Sequence, residues 1–543
     1  MLYKIAWFIG VALVFVTIRN TNPEREIHVD GDVAKEWSHV ADVFRKNLEE
    51  NWERSGAAFV VYHKGQKVID IWGGYADRES QRKWTKNTLS VAFSCSKAIG
   101  AIVIAKLVDE GRMEYDDLVT KYWPEFGKNG KGNVTIRWLI THKAGLAYTD
   151  HPIEWEDAID HKKIDKILEN QKPNWPPGTE IGYHAVTHGW LVDAIVRRVD
   201  HKKRTVGQYF REEIGQKFGL DFHLGLPLSE QHRVARIENP NFWNVLEEIF
   251  YAPSDFDVIR FLKDRITNGT LSKTTASTPF IKFVGAMTLN NPDLHRIEQP
   301  AVLGIGTARA LAEIFELLRQ NKIVSENVKR QMFFENYEMS EDFISGAKVP
   351  RGQGFMLKEF QHQGNPVKMY GHSGYGGQNI RTDFDHEITI CYFSNGLKVG
   401  FGDTARTYKR LLKAVYDTYF KLETVPIIII PVILLRSLLA CRCWSSSDVL
   451  RALTMCGGDV GPPTSSIEDH RGNRTRPIHP PGGPTTAHVI LSATGTLTVY
   501  CLFKKIARVN ASKCLRLYSA STGLGTLYTF FHSFTRAIVL NRQ

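Results

Sequence analysis

Apolar and polar positions divide the chain into four stretches. The first is an uncharged run from Ile5 to Ile18, IAWFIGVALVFVTI, between Lys4 and Arg19, followed by the polar RNTNPEREIHVDGD. A basic start and an apolar segment of this length suit a secretory signal peptide or a short signal anchor over residues 1–22. No small-x-small cleavage site follows Ile18, so an uncleaved anchor is expected. The second stretch opens at Gly56 with AAFVVYHKGQKVIDIWGGYAD, two β-branched and aromatic runs split by Lys64-Gly65-Gln66, which predicts a hairpin. After a polar link over 77–88, the apolar run from Phe93 to Val108 predicts a buried helix ending at Glu110-Gly111-Arg112. Val134 to His142 places apolar residues at helical spacing behind a Thr that can cap, and Lys143-Ala144-Gly145-Leu146 closes it. Helix and loop continue to about residue 350, the clearest helix being Thr307 to Leu318, with Gly304 and Gly306 before it and Thr307 as N-cap.

From Gly354 the period shortens. GFMLKEFQ, PVKMYGHSG, QNIRTDF and ITICYFSNG are broken by Gln363-Gly364-Asn365, by Gly374, Gly376 and Gly377, and by Asp385-His386, as in an antiparallel meander. A helix from Asp403 to Leu422 follows, with Tyr408, Leu411, Leu412 and Val415 roughly on one side. A hairpin near the start, a meander near the end and helices between predict one α+β domain over residues 30–423. Its antiparallel β-sheet is built from N- and C-terminal strands, flanked by helices, with a large, mostly helical subdomain between. Residues 424–543 differ. Val425 to Leu435 is apolar but holds Pro426 and Pro431 and stops at Arg436, short for a membrane span. The Pro, Gly, Thr and Arg-rich stretch beyond it predicts a disordered tail outside the catalytic fold.

The net charge of +11 changes this picture little, because the tail carries 13 Lys and Arg against 4 Asp and Glu and so accounts for +9 of it. The nearly neutral body offers no basic groove for nucleic acid. Of seven cysteines only Cys95 and Cys391 precede residue 420, and neither a C-x-x-C pair nor an H-E-x-x-H spacing occurs. No disulfide framework, metal or other cofactor is implied.

The candidate chemistry begins at Ser94-Cys95-Ser96-Lys97. On a helix Ser94 and Lys97 share a face, so an amine can take the proton of a hydroxyl. A helix N-terminus also offers free N–H groups to an oxyanion. Ser96 has Ile99, not Lys, three residues on, and is set aside. Such a short pattern arises by chance, but two further features accompany it. Trp175-Pro176-Pro177-Gly178-Thr179-Glu180-Ile181-Gly182-Tyr183-His184 is a turn leading to a tyrosine, and Tyr370-Gly371-His372-Ser373-Gly374-Tyr375-Gly376-Gly377 is a glycine-rich strand end. Gly371-His372-Ser373-Gly374-Tyr375 is not a G-x-S-x-G nucleophile elbow, since Tyr375 stands where the last Gly is required.

In this order and spacing the three motifs, with Val134 to Leu146 and Pro177-Gly178-Thr179, resemble the serine β-lactamase and penicillin-binding-protein superfamily over roughly Trp37 to Leu422. The likeness is to its class C β-lactamase and esterase branch, which includes animal β-lactamase-related proteins. The resemblance implies Ser94 as acyl-accepting nucleophile, Lys97 as its amine and Tyr183 as the tyrosine that moves protons, with the base left open between Lys97 and Tyr183. It implies His372, Ser373 and Gly374 along the site, and an oxyanion held by the N–H groups of Ser94 and Tyr375. Two departures bear on substrate. Ala185 stands where the family usually has Asn, and His372 replaces the usual Lys, removing an amide grip and a permanent cation for a substrate carboxylate. An esterase-like serine hydrolase acting on a small ester or amide is therefore expected. A catalytically weak scaffold on the same fold, or a peptidase or β-lactamase, is the alternative. The body is expected in the secretory pathway, anchored or secreted, with association to a membrane through the N-terminal segment. A mitochondrial location is the alternative. The sequons at Asn133 and Asn268 fit a lumenal body.

Overall fold

The computed structural model describes residues 26–440, except 252–262, 265, 284 and 400–401, and the side chains of 424–440. In chain order its main elements are β1 (Val29–Val33), α1 (Ser38–Glu49), β2 (Gly56–His63), β3 (Gln66–Asp77), β4 (Arg82–Lys83), β5 (Ser90–Val91), α2 (Ser96–Asp109), α3 (Ile136–Ile140) and α4 (Thr187–Val199). There follow β6 (Phe222–Leu224), β7 (Gly304–Gly306), α5 (Ala308–Arg319), β8 (Met356–His362), β9 (Asn365–Ser373), β10 (Asn379–Asp383), β11 (Ile388–Ser394) and α6 (Arg406–Ala440). The expected hairpin is β2 and β3, and the expected meander is β8 to β11. They join where β2 pairs antiparallel with β11, Val60 opposite Cys391, giving the order β1-β3-β2-β11-β10-β9-β8 with β4 on β3. The sheet is thus assembled from both ends of an α+β chain, as the polarity pattern predicts.

Side chains alternate across this sheet with period two. Phe59, Val61, Ile69 and Ile390 face a core closed by Val40 and Phe44 of α1 and by Tyr408, Leu411 and Val415 of α6. Val60, Ile380, Cys391 and Phe393 face the larger core, where Leu311 and Ile314 of α5 and the residues of α2 pack. Ala98 through Ala105 and Leu107 are all buried, so α2 is apolar all round and lies inside the molecule. Thr307 accepts the Ala310 N–H and Thr135 the Trp138 N–H, the side-chain caps expected of α5 and α3.

Two features lay outside the sequence reading. β1, VDGDV, is a charged edge strand that pairs through its backbone, and a Cβ on Gly31, at φ +119°, would meet Asp70 O at 2.1 Å. A second sheet, β5-β7-β6, has strands only two or three residues long, and its central strand is the Gly304–Gly306 segment read as a mere approach to α5. By its contacts the chain divides between Leu422 and Glu423. The expected signal segment 1–22 and the tail beyond residue 440 lie outside the described residues, and the backbone of 424–440 continues α6. Among the described residues no helix is long and apolar enough to cross a membrane.

Candidate active site

The small sheet delivers the Ser94 segment. Val91 pairs with Ile305, and the Ala92 N–H donates to Gly304 O at 2.8 Å. The chain then turns sharply. Phe93 takes φ 47°, a left-handed conformation rare for a bulky residue, and Phe93–Cys95 forms a 3₁₀ turn before α2 begins at Ser96. Ser94 therefore sits in a tight turn two residues ahead of the α-helix rather than within the helix expected from Phe93. It is half-buried, whereas Lys97, in the first turn of α2, is 1% exposed.

The first two motifs meet here. The Tyr183 hydroxyl donates to Ser94 Oγ at 2.7 Å, and Lys97 Nζ lies 3.5 Å from the same oxygen. Lys97 also donates to Ala185 O at 2.7 Å and to Ala301 O at 3.0 Å, and its Nζ stands 4.7 Å from the centre of the Tyr183 ring. Burial, the main cause, pushes the Lys97 pKa well below the ordinary lysine value, and Arg351 adds to this. A neutral amine has two N–H bonds. Given to the two carbonyls, they leave its lone pair for the Ser94 hydroxyl. Burial raises the Tyr183 phenol above its usual value, outweighing the opposing effects of Ser94 and Arg351, so Tyr183 holds its proton.

Several residues that the motifs did not single out hold Tyr183. Asp342 accepts its backbone N–H at 2.9 Å, also accepts the N–H groups of Ile344 and Ser345, and pairs with Arg351 at 2.8 Å. Arg351 lies 5.5 Å from the Tyr183 ring centre. The His142 ring lies 4.9 Å from that of Tyr183 and 4.9 Å from that of His188. His184 donates from Nδ1 to Gly182 O and accepts the Leu146 N–H at Nε2, which defines a neutral ring, and burial brings its pKa down to about 4. No spacing in the sequence marks Asp342 or Arg351, which lie about 160 residues from Tyr183.

The third motif lies against the Ser94 turn. Cys95 Sγ donates to His372 O at 3.3 Å, and a Cβ on Gly374 would stand 2.9 Å from Ala92 O, so glycine permits the approach. The His372 and Ser373 side chains are buried, the His372 ring lying 6.4 Å from that of Tyr183 with Nδ1 donating to Ser373 O at 2.6 Å. Burial, with Lys97 adding to it, pushes the His372 pKa well down, so this position holds a neutral ring where the resemblance noted above implies a lysine. Half-buried Tyr375 packs 5.8 Å from Phe93 and 5.6 Å from half-buried Phe283, and Phe93 and Phe283 are 6.1 Å apart. Among the described residues neither the Ser94 nor the Tyr375 N–H donates to a protein acceptor. Gly374 O accepts the Gly402 N–H at 3.0 Å. Among the described residues no cluster of three or more His, Cys, Asp or Glu is arranged to hold a metal ion.

The chain is similar to known proteins. Residues 44–414 match the family model described as Beta-lactamase. An esterase/β-lactamase, LipL, of Mycobacterium tuberculosis (strain ATCC 25618 / H37Rv) is 34% identical over 267 residues, 48% of this chain and 57% of that protein. The first curated relatives are thus matched over little more than half of their length or less. Among solved structures, a family VIII carboxylesterase is 28% identical with a TM-score of 0.61, covering 72% of this chain and all of the other. A penicillin-binding protein homologue from Caulobacter crescentus is 30% identical with a TM-score of 0.59 over the same shares. With the family model spanning most of the sheet and all three motifs, the chain belongs to the β-lactamase family.

Proposed function

We propose that the protein is an esterase-like serine hydrolase that forms an acyl-enzyme on Ser94. The observation that carries this reading is the meeting of Tyr183 OH and Lys97 Nζ on Ser94 Oγ, at 2.7 and 3.5 Å. Lys97, kept neutral by burial, takes the Ser94 proton as the oxygen attacks the substrate carbonyl. The oxyanion is held by the N–H groups of Ser94 and Tyr375. Tyr183, kept protonated, gives its proton to the departing alkoxide and is reprotonated from Lys97. Water then cleaves the acyl-enzyme by the reverse proton path. This assigns the base, which the motifs leave open, to Lys97.

Ester substrates are favoured for two reasons. An alkoxide or phenoxide leaves more readily than an amide nitrogen, and this site holds a neutral, buried His372 and an Ala185 that offers Lys97 only its backbone carbonyl. A β-lactam or a peptide with a free carboxylate has little here to hold its charge. The Phe93, Phe283 and Tyr375 cluster suits an apolar acyl group. The printed names of the esterase/β-lactamase and carboxylesterase relatives support the same reading.

The test is labelling by a fluorophosphonate probe, expected in the wild type and lost in Ser94→Ala, with faster turnover of a short-chain aryl ester than of a chromogenic β-lactam. An unlabelled wild type would favour the scaffold alternative, and faster β-lactam turnover would overturn the ester assignment. We also propose that the body is delivered to the secretory pathway by residues 1–22. Asn133 and Asn268 are both exposed, as glycosylation requires, and endoglycosidase sensitivity of the cell-expressed protein checks the proposal.

A further inference from the structure

Ser96, between the nucleophile and its lysine, has no part in the proton path above. Its side chain is nevertheless fully buried, at 0% exposure, and uses its hydroxyl twice. Oγ donates to Phe93 O at 2.5 Å and accepts the Gly304 N–H at 2.8 Å. The hydroxyl does not cap α2, because its bond runs back to residue 93 instead of forward to the free N–H groups of the first turn.

The carbonyl it holds, which also accepts the Ser96 backbone N–H, belongs to the peptide joining Phe93 to Ser94. The peptide is planar and trans, so its N–H points opposite to its C=O. Whatever fixes the Phe93 carbonyl therefore fixes the direction of the Ser94 N–H, the first of the two oxyanion donors. The second donor has the same arrangement, since the Gly402 N–H holds Gly374 O and so orients the Tyr375 N–H across the next peptide. At the first donor the clamp also has a strain to resist, because Phe93 is held at φ 47°. β7 supplies the anchor. Gly304 accepts from Ala92 N–H and donates to Ser96 Oγ, and any Cβ at residue 304 would stand 2.6 Å from that oxygen.

We infer that Ser96 is a positioning residue of the oxyanion hole, a hydroxyl strut between β7 and the Phe93 carbonyl that aims the Ser94 N–H at the developing alkoxide. This rests on the acyl-transfer reading of Ser94. A strut of this kind acts only when negative charge forms on the substrate oxygen, so its loss should fall on the transition state and spare ground-state binding.

The experiment compares full-length wild type, Ser96→Ala, Ser96→Thr and Ser96→Cys for hydrolysis of 4-nitrophenyl butyrate and for inhibition by an aryl trifluoromethyl ketone. Ser94 Oγ adds to that ketone, its proton passes to Lys97, and the carbonyl electron pair becomes the hemiketal oxyanion. Ser96→Ala is expected to lower kcat by about 10- to 100-fold, leave KM within about 2-fold, and weaken the ketone in proportion to kcat/KM. Ser96→Thr, which keeps the hydroxyl, should restore both to within about 3-fold of wild type. Should the alanine variant not fold, Ser96→Cys, of similar volume with a weaker donor, should show the same parallel loss at about 10-fold. An active Ser96→Ala enzyme with wild-type kcat, or a loss of kcat with unchanged ketone affinity, overturns the role of Ser96 alone. A wild type inert to ester, ketone and fluorophosphonate overturns the hydrolase reading and this inference with it.

Discussion

Lys97 shows how one residue's chemistry depends on where its neighbours put it. Its distance from Ser94 follows from four consecutive residues, but its proposed role as base rests on burial and on two carbonyls contributed by residues 185 and 301. Burial lowers its pKa, so the neutral, active form persists at pH values where an exposed lysine would be charged. The acid limb of kcat/KM against pH should therefore lie well below the free-lysine value of about 10.4, activity rising with pH through it, and a limb near that value would remove Lys97 as base. Lys97→Ala should lower kcat/KM by about 10³-fold or more. The apolar cluster makes a separate prediction. Phe283→Ala should cut kcat/KM for phenylacetyl or butyryl esters by about 10-fold while changing acetyl esters less, read from a chain-length series. Ser94, Lys97 and Tyr183 were legible as a motif series. Ser96 has no such signature, because its partner Gly304 lies 208 residues away.

At the scale of elements, the runs that read clearly are those whose burial is one-sided or complete. The hairpin, the meander and the capped helix α5 each carry a period that the core enforces. β5, β6 and β7 carry none, since two or three residues cannot show a period, yet they hold the Ser94 turn. Two measurements probe how elements are joined. Thr307→Ala, removing the cap of α5, should cost about 1 kcal/mol in urea unfolding. More depends on the buried pair at the end of β11, where Lys398 Nζ meets Glu53 Oε1 at 2.6 Å, Ser394 Oγ at 2.5 Å and Gly396 O at 2.5 Å. Glu53→Gln leaves a buried ammonium without its carboxylate and should cost about 3–5 kcal/mol, seen as a lower unfolding midpoint.

Acid sensitivity belongs to the whole molecule. His142, His184, His188 and His372 come from three places in the chain, all are buried, and burial lowers the pKa of each. In the unfolded chain they titrate near 6.5. Between that value and the lowered folded one, the unfolded state binds more protons, so stability present above pH 6.5 is lost progressively as the pH falls. For His184, folded at about 4, the full loss is on the order of 3 kcal/mol. Urea unfolding at pH 7.5 and pH 5 should show a clear fall in stability, and equal midpoints would count against neutral buried rings. The chain divides between Leu422 and Glu423, and ending it after Glu423 is expected to leave ester kcat/KM unchanged, checked against the full-length protein.

By itself the sequence determined the fold class and the strands and helices with enough length to show a period, because these are written in local spacing, and through its family resemblance it pointed to Ser94, Lys97 and Tyr183 as candidates. Tertiary structure decided that Lys97 and the histidine of the third motif are buried, which lowers the pKa of both, and what holds the Phe93 and Gly374 carbonyls in place. Those properties depend on contacts made only on folding, such as Lys97 with Ala301 and Ser96 with Gly304, 204 and 208 positions apart. Desolvation and the fixed plane of a peptide bond act there, and neither leaves a trace in the order of residues.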